Sequence, residues 1–491
     1  MTQQVDQNQI NGTAPGARAP RVPWPWVPVA TGTVLALVLT GAWRQLLHPY
    51  LAHDDWYFLL RVDKIRQDQI FDRLLWEGRW LNFAWWRGIG HLLTPVTAVL
   101  LFTTLTVLLA SRIAWRWAPG WLGVPAVVAL FASPMLTDIS AWPATLVPAL
   151  LVAVVATWSL QRCAGNRWTL AGWIFLSTVL GFLTYPPVAV LLFVVLVVEL
   201  IDRPLRDLAL TTLAFGASYA VGTLTAFTLN LIVFGTFGLD LPPWRLPNQV
   251  HSIRDLGENL GRSWQQVLDV VDYATIPLAL GLAALVTCVL LPATRTRGLR
   301  LALLLVVALG IQSSTTVLSG VSTPIRSWPW LWVLAVVPVL WLAADPGLQR
   351  RLRIGAMVAL ALTAGWGLRY AHDLNAHQQH ELAAYDRVER RLTTMLRERP
   401  GDLVVFVGSE EDWADYDFKR QAQYLSMRAF DEHGVTIEYC RTPECHMGQW
   451  PAVASRIARG MRVIQAGRYI LVVPPAHLRQ PTGPGASAPR Q

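Results

Sequence analysis

Charged residues are scarce in this chain. They make up 15% of its 491 residues, whereas 53% are hydrophobic and the mean hydropathy is +0.36. Apolar runs close to twenty residues long recur along the chain, and a water-soluble core does not need them. The low charge and the long apolar runs therefore predict a mostly α-helical, polytopic membrane protein.

Motifs that bind nucleotides or carry a serine nucleophile are absent. The sequence has no Walker signature, no glycine-rich phosphate loop and no G-x-S-x-G. A nucleotide-driven pump is therefore not expected. The formal net charge of +9 is carried almost wholly by arginine, without a basic, aromatic-interleaved strip outside the membrane loops. In a membrane protein this excess indicates anchored inner loops and argues against binding to nucleic acid.

Eleven apolar stretches are predicted to be membrane helices, because a span needs roughly twenty apolar residues. They are Val27–Leu47, Leu92–Ala114, Trp121–Leu136, Trp142–Leu160, Trp168–Tyr185, Val188–Ile201, Leu205–Phe234, Tyr273–Leu291, Leu299–Ser319, Trp328–Ala343 and Ile354–Tyr370. Residues 27–371 are thus expected to form the membrane domain. Residues 1–26 are polar and then Pro-rich, which predicts a disordered tail, and the first apolar stretch is too long for a cleaved signal.

Arginine is distributed unevenly between the loops. One alternating set carries Arg112, Arg116, Arg162, Arg167, Arg203, Arg206, Arg295, Arg297, Arg300, Arg350, Arg351 and Arg353. The alternate short loops, Ser133–Ala141 and Thr184–Pro187, carry no Lys or Arg, and the loop near Ser322 carries only Arg326. The positive-inside rule places the arginine-rich set on the cytoplasmic side of a bacterial inner membrane. The N-terminal tail is then cytoplasmic, and residues 48–91, 238–272 and all that follows Tyr370 face outward.

Two outer loops have the pattern of interfacial helices. Residues 48–91 combine charges of both signs, several tryptophans and apolar residues at helical spacing, which is typical of helices at headgroup depth. Residues 238–272 begin Pro-rich and continue as an amphipathic helix. Its apolar positions are Ile253, Leu256, Leu260, Trp264 and Leu268. This helix is expected to pack on the bilayer or on the first outer loop.

Residues 372–480 differ in composition from the membrane domain and predict a small extracytoplasmic α/β domain. Its expected strands are Leu403–Val407, Thr436–Tyr439 and Tyr469–Val473, and its expected helices lie near Asp412–His433 and Ala452–Arg459. Residues 481–491 are expected to be a disordered tail.

Two of the four cysteines stand close together in this C-terminal region. In an oxidising compartment Cys440 and Cys445 are expected to form a disulfide across a tight loop. A metal pair with the adjacent His446 is the alternative.

Three outer-face features suggest chemistry when they are taken together. They are the pair Asp54 and Asp55, the lone carboxylate Asp138 in its short loop, and the cation Arg326. A charge at a membrane interface is costly unless it pairs or faces water, so each is a functional candidate. Carboxylates from separate loops suit a general base or a divalent metal, and an arginine suits a phosphate. The alternative is structural, with carboxylates that cap helices and an arginine that extends towards water.

Over residues 27–110 the sequence resembles a known family. An apolar helix that ends in an acidic pair, followed by a Gly-Arg-Trp-Leu element, is similar to the bacterial O-antigen glucosyltransferases of the Gtr kind, within the GT-C class of polytopic glycosyltransferases. The two motifs here are His53-Asp54-Asp55-Trp56 and Glu77-Gly78-Arg79-Trp80-Leu81. The C-terminal α/β domain is a departure that this resemblance does not explain.

The resemblance implies an enzyme of the cell envelope that uses a sugar carried on polyprenyl phosphate, such as glucose for lipopolysaccharide O-antigen. It implies catalysis by Asp54 and Asp55, with Asp138 matching by position and not by motif. The leaving phosphate needs positive charge, for which Arg79 and Arg326 are the candidates. The outer-loop tryptophans, Trp56 and Trp80 among them, are expected to line the sugar site. No particular cofactor is indicated, and the need for a divalent metal is left open.

The sequence therefore favours an inverting glycosyltransferase that acts on a surface glycan or lipid acceptor outside the membrane. A lipid-linked sugar flippase or exporter would need polar residues along its membrane helices, where charge is nearly absent here. A polysaccharide polymerase or ligase usually has one large outer loop late in the chain, and residues 238–272 form only a modest one. A non-catalytic scaffold that presents the C-terminal domain is the fourth alternative.

The arginine distribution predicts opposite sides of the membrane for two points in the chain. A reporter fused after Leu348 should be cytoplasmic, and a reporter fused after Gly401 should be periplasmic. Paired phosphatase and fluorescent-protein fusions measure this directly. Both fusions on the same side would contradict the predicted orientation.

Overall fold

The structure is a computed structural model that describes residues 26–60, 64–240, 247–398, 403–406, 416–439, 462–466 and 469–473. Two sequence expectations, the Cys440–Cys445 disulfide and a helix near Ala452–Arg459, lie outside the described residues. So do the expected terminal tails, except that Trp26 begins the first helix.

The described chain is mostly helical. Its helices are α1 Trp26–Leu39, α2 Ala42–Leu47, α3 His53–Leu59, α4 Lys64–Trp76, α5 Trp80–Gly88, α6 Pro95–Trp117, α7 Gly123–Phe131, α8 Pro134–Ile139, α9 Pro143–Cys163, α10 Arg167–Thr184, α11 Pro186–Glu199, α12 Leu205–Phe234, α13 Ile253–Tyr273, α14 Thr275–Leu290, α15 Arg295–Ser319, α16 Pro329–Ala344, α17 Arg350–Glu398 and α18 Tyr416–His433. A 3-10 turn, Ile325–Ser327, precedes α16.

Five of the described helices are long and apolar enough to cross a membrane, namely α6, α9, α12, α15 and α17. The bent pair α13 and α14 makes a sixth if it is counted as one span. These numbers fit a multi-pass membrane protein but fall short of the eleven predicted spans. The shortfall arises partly because several apolar stretches fold into short helices, such as the 14-residue α11 and the 16-residue α16.

A glycine divides the first predicted span. The sequence suggested one helix over Val27–Leu47, but the structure has α1 and α2 separated at Gly41. Gly41 has a φ of 74°, a left-handed conformation that glycine adopts without steric cost. The short α2 then lies beside α17, where the Gln45 side-chain amide donates to Gln378 at 2.8 Å.

Helix α11 is the centre of the helical core. Its residues from Val188 to Val198 are all apolar and buried, and α9, α10, α12, α15 and α16 surround it. The Phe193 ring stacks on Phe215 of α12 with centroids 4.3 Å apart. Because protein surrounds this helix, its short length does not leave backbone exposed to lipid.

The arginine-rich loops meet at one end of the helical bundle. Arg112 and Glu199 form a buried ion pair at 3.0 Å, with side chains 3% and 4% exposed. Arg116 and Arg297 both pair with Asp202 nearby. Loops that are distant in sequence but share the predicted cytoplasmic side therefore come together in the structure.

Four short strands form one sheet near the C-terminus. They are β1 Leu403–Phe406, β2 Glu438–Tyr439, β3 Arg462–Ala466 and β4 Tyr469–Val473, in the order β2-β1-β4-β3. β1 is parallel to both of its neighbours, and β3 is antiparallel to β4. Apolar residues of α18 and of the end of α17 pack against the strands. Three of the strands were expected from the sequence, and β3 was not.

The buried ion pair Arg112–Glu199 should matter for stability. Arg112→Leu removes one partner and leaves a buried carboxylate with the more distant Arg116, a change that typically costs about 3–5 kcal/mol. Thermal unfolding in detergent should therefore show a clear drop in midpoint. Arg254→Ala is the control, because its pair with Glu258 is exposed and should contribute about 0.5 kcal/mol or less. Equal midpoints for the two variants would contradict this role.

Candidate functional site

A cavity of about 160 Å³ lies at the end of the bundle opposite the arginine cluster. It is enclosed by the helices of the first outer loop, by the beginnings of α9 and α11, by α12 and α15, and by the 3-10 turn. Its polar and aromatic lining residues are Asp54, Arg73, Glu77, Arg79, Trp142, Thr145, Tyr185, Tyr219, Gln312, Thr315, Thr323, Arg326 and Ser327. The cavity therefore collects residues from several segments that are far apart in sequence.

Four charged side chains form a chain of ion pairs along one wall. Arg73 on α4 contacts the Asp54 carboxylate at 3.1 Å and Glu77 at 3.2 Å. Glu77 is nearly buried and also pairs with Arg79 at 2.8 Å. The Arg79 guanidinium lies over the Tyr185 ring, 5.2 Å from its centroid. These contacts hold both arginines in fixed positions at the cavity and reduce their freedom to turn away.

The turn between α4 and α5 depends on Gly78. Its φ is 78°, and a Cβ atom there would approach Leu239 within 2.8 Å. Both features favour glycine over any other residue. The Glu77-Gly78-Arg79 sequence thus places one charged residue on each side of a tight turn, and both charged residues reach the cavity wall.

Asp55 lies behind the cavity and binds the N-terminus of α9. Its carboxylate accepts hydrogen bonds from the backbone N–H of Ala144 at 2.5 Å, from the N–H of Thr145 at 3.2 Å and from the Thr145 hydroxyl at 2.7 Å. Trp142, the residue before α9, provides no side-chain cap of its own. Burial raises the pKa of Asp55 to about 7, although the three donors act in the opposite direction. Asp55 is therefore a helix cap supplied from another segment.

Arg326 approaches the cavity from the side opposite Arg79. Its guanidinium lies over the Trp142 ring, 4.4 Å from the centroid. Within the described ranges no carboxylate forms a direct ion pair with it, although Asp138 is near enough to feel its charge. Burial raises the pKa of Asp138, and Arg326 lowers it by a smaller amount. Asp138 lies behind Arg326 and does not line the cavity.

The floor of the cavity is formed by uncharged residues of the membrane helices. Tyr219 of α12 makes a side-chain hydrogen bond with Thr315 of α15, and Gln312 lies one turn before Thr315. Pro186 and Pro187 at the start of α11 complete this floor. A charged wall above an uncharged floor suits a ligand with both a charged and an uncharged portion.

The predicted site residues divide into two groups. Asp54, Arg79 and Arg326 line the cavity, whereas Asp55 and Asp138 lie just outside it. The two tryptophans have other positions. The Trp80 indole donates to Asn230 of α12 at 2.9 Å, and Trp56 is buried in an aromatic contact with Tyr424 of α18. Neither lines the cavity, so their expected role in holding the sugar has no counterpart in this geometry.

Sequence reasoning missed several residues of the cavity wall. Arg73 and Glu77 were not among the predicted site residues, although Glu77 belongs to the Glu77-Gly78-Arg79-Trp80-Leu81 motif. Yet these two residues link Asp54 to Arg79. Trp142 and Tyr185 immediately precede the prolines that begin α9 and α11. An aromatic residue before a proline at the outer end of a span was the available signal.

Metal ligation has no obvious centre in the described part of the chain, where no group of three or more His, Cys, Asp or Glu is placed to hold an ion. Comparisons with protein-family models, with curated proteins and with solved structures found no match. Any assignment of function therefore depends on the geometry of the cavity and on the charges that line it.

The two adjacent aspartates should differ in their effect on stability. Asp55→Asn replaces an acceptor oxygen with an amide that cannot accept the Ala144 N–H, and an orphaned buried donor costs about 1–3 kcal/mol. Asp54→Asn should cost about 1 kcal/mol or less, because its pair with Arg73 is partly exposed. Thermal melting of both variants in the same detergent tests this. A smaller loss for Asp55→Asn than for Asp54→Asn would rule out the capping role.

Proposed function

We propose that this protein is an inverting membrane glycosyltransferase. It transfers a sugar, a hexose such as glucose, from a polyprenyl-phosphate donor to a glycan or lipid acceptor on the outer face of the bacterial inner membrane. The cavity supports this proposal because the Asp54 carboxylate and the Arg326 guanidinium both line it, and Arg326 has no ion-pair partner among the described residues. Group transfer from a phosphate needs both of these charges.

The orientation follows the arginine distribution, with the Arg112 cluster in the cytoplasm and the cavity outside. We also propose that all eleven apolar stretches cross the membrane. The short helices α11 and α16 are buried along almost their whole length, so neither has to match the bilayer with its own surface. The C-terminal sheet with α18 would then be an extracytoplasmic α/β domain.

Asp54 is the proposed general base. The acceptor hydroxyl attacks the anomeric carbon of the sugar, and its proton passes to the Asp54 carboxylate as the new glycosidic bond forms. The bond between the anomeric carbon and the phosphate oxygen breaks, and its electron pair leaves with polyprenyl phosphate. Arg73 holds the carboxylate in position at 3.1 Å, so the base does not have to be oriented during the reaction.

Arg326 and Arg79 are the proposed phosphate ligands. Among the described lining residues, three arginines face two carboxylates, which leaves an excess of positive charge for an anionic ligand. Arg79 is already paired with Glu77, whereas Arg326 rests on Trp142 with its donors available to the cavity. A guanidinium can bind phosphate oxygens through two parallel hydrogen bonds.

Trp142 and Tyr185 are better placed than Trp56 and Trp80 to contact the sugar. Both rings line the cavity, and each also supports an arginine. Aromatic faces pack against the apolar C–H surface of a sugar ring while the surrounding polar groups bind its hydroxyls. The uncharged lower part, near Pro186 and Tyr219, would receive the first units of the lipid chain.

A flippase is less consistent with the core of the protein. Such a protein needs a polar route across the membrane. Helix α11 begins at the cavity and ends at Glu199 in the arginine cluster, and its side chains from Val188 to Val198 are apolar and buried. A polysaccharide polymerase or ligase would use related substrates, and the acceptor tested in the assay distinguishes these enzymes from a transferase.

Transfer of radiolabelled sugar in membranes tests the proposed base. With a panel of polyprenyl-phosphate sugars as donors, Asp54→Asn should lower the rate about 10²–10⁴-fold, because it keeps the size of the side chain but removes its basicity. Asp72→Asn is the control, since Asp72 is an exposed carboxylate of α4 that does not line the cavity. If no donor in the panel is consumed by the parent protein, the transferase proposal fails. Full activity of Asp54→Asn would remove Asp54 as the base.

Arg326→Ala should affect donor binding more than chemistry. Loss of a charge-assisted hydrogen bond costs about 1.5–3 kcal/mol, so the donor KM should rise about 10–100-fold. Asp54→Asn should change kcat instead. Arg254→Ala, on the exposed face of α13, is the matched arginine control. An unchanged KM for Arg326→Ala would mean that the phosphate binds elsewhere.

A further inference from the structure

Helix α13 presents an exposed apolar stripe. Ile253 is 89% exposed and Trp264 is 63% exposed, with Leu260 and Val271 on the same side. These positions are four or seven residues apart, the spacing that places side chains on one helix face. A row of large apolar side chains in water is unfavourable, so this face requires a partner.

The second stripe of α13 is polar and faces the protein. Asn259, Ser263 and Gln266 are buried there together with Val270, so most of the buried side is polar, which is unusual for an amphipathic helix. The Gln266 side-chain oxygen accepts hydrogen bonds from the hydroxyls of Thr316 at 3.1 Å and Thr323 at 2.9 Å. The side that packs on the protein is therefore held by hydrogen bonds, and the apolar stripe is left for another surface.

The third stripe is charged and exposed, and it lies away from both of the others. It contains Arg254, Glu258, Gln265 and Asp269, which pair with each other along the helix. Four carboxylates and two arginines lie along α13 in total. The helix therefore lacks the excess of basic residues that attracts an anionic lipid surface.

The direction of α13 relates its stripes to the membrane. The axes of α13 and the apolar helix α14 differ in direction by 99°. Together the two helices are long and apolar enough to form one membrane span that is broken at the bend. If α14 runs through the bilayer, α13 lies nearly parallel to the bilayer surface. Exposed apolar residues continue from α13 onto α14, at Ile276 and Leu282. Exposed apolar side chains therefore occur on both sides of the bend.

We propose that the apolar stripe of α13 docks into the headgroup layer of the outer leaflet of the membrane that the protein spans. The partner is a neutral lipid surface, bound by apolar burial and by Trp264 at headgroup depth. The charged stripe then faces water, and the polar stripe holds the segment between α15 and α16. This inference does not depend on the proposed glycosyltransferase activity.

The docked helix also bears on the candidate site. Gln266 contacts Thr316 and Thr323, and the segment that continues from Thr323 carries Arg326 into the cavity. The Asn259 side chain donates to the backbone of Val317 and of Asn248. One helix therefore rests on the membrane with one face and positions the Arg326 segment with the next.

Cysteine accessibility in nanodiscs tests the docking. Leu260→Cys and Trp264→Cys are compared with the matched variants Glu258→Cys and Gln265→Cys, in full-length protein held one chain to a phosphatidylcholine nanodisc. A charged maleimide reports the exposed thiolate, and the parent protein gives the background from its own cysteines. Burial of a thiol in lipid that raises its pKa by one unit leaves about tenfold less thiolate. The two stripe variants should therefore react at least about tenfold more slowly than their controls.

Each other result overturns the proposal in a different way. Equal, fast reaction at all four positions would mean that the stripe faces water. Slow reaction at all four would place α13 inside the bilayer as part of a span. Protection of Leu260→Cys in native membranes that is lost in the single-chain nanodisc would identify a second protein molecule as the partner.

Discussion

The bond between the Asp55 carboxylate and the N-terminus of α9 is the contact on which the candidate site depends. Helix α9 has no side-chain cap of its own, so its first N–H groups take their acceptor from the first outer loop. Asn82 of α5 donates to the carbonyl of Thr145, the residue that also contacts Asp55. Three helices are thereby joined at one residue. Since adjacent side chains leave a helix in different directions, fixing Asp55 on α9 directs Asp54 to the cavity.

The two ends of the bundle use arginine differently. At the Arg112 end Arg112, Arg116 and Arg297 each have a carboxylate partner, either Glu199 or Asp202. At the cavity end, Arg73 and Arg79 are paired with carboxylates, whereas Arg326 rests on an aromatic ring and has no ion-pair partner among the described residues. A charge held in place without a neutralising ion pair is costly in an otherwise apolar region. A bound anionic ligand would offset that cost. An arginine with a purely structural role would not need such a ligand.

Local sequence patterns predicted the helices well, but they predicted the positions of the side chains in the fold poorly. The periodicity of α13 was visible in the sequence, as were α4, α5 and the start of the sheet. Trp56 and Trp80 were not distinguishable from Trp142, because a tryptophan at the membrane surface has the same pattern whether it packs on a helix or lines a cavity. The break at Gly41 and the strand Arg462–Ala466 were not predicted either, because a lone glycine and a half-polar strand give weak sequence signals. The different positions of Asp54, at the cavity, and Asp55, on α9, depend on tertiary contacts that no local pattern contains.

The C-terminal region takes part in positioning the candidate base. Helix α17 has 49 residues, about 74 Å at 1.5 Å per residue, and it passes from the membrane helices to the sheet without a break. Along this path Glu381 accepts a hydrogen bond from Tyr50, just before α3. The sheet helix α18 then contributes Tyr424, whose ring packs edge-on against Trp56 with centroids 5.4 Å apart. Helix α3 is consequently held from below by α9 through Asp55 and from above by α18 through Trp56. Asp54 lies next to both anchors, so a shift of the C-terminal region would move the carboxylate at the cavity wall.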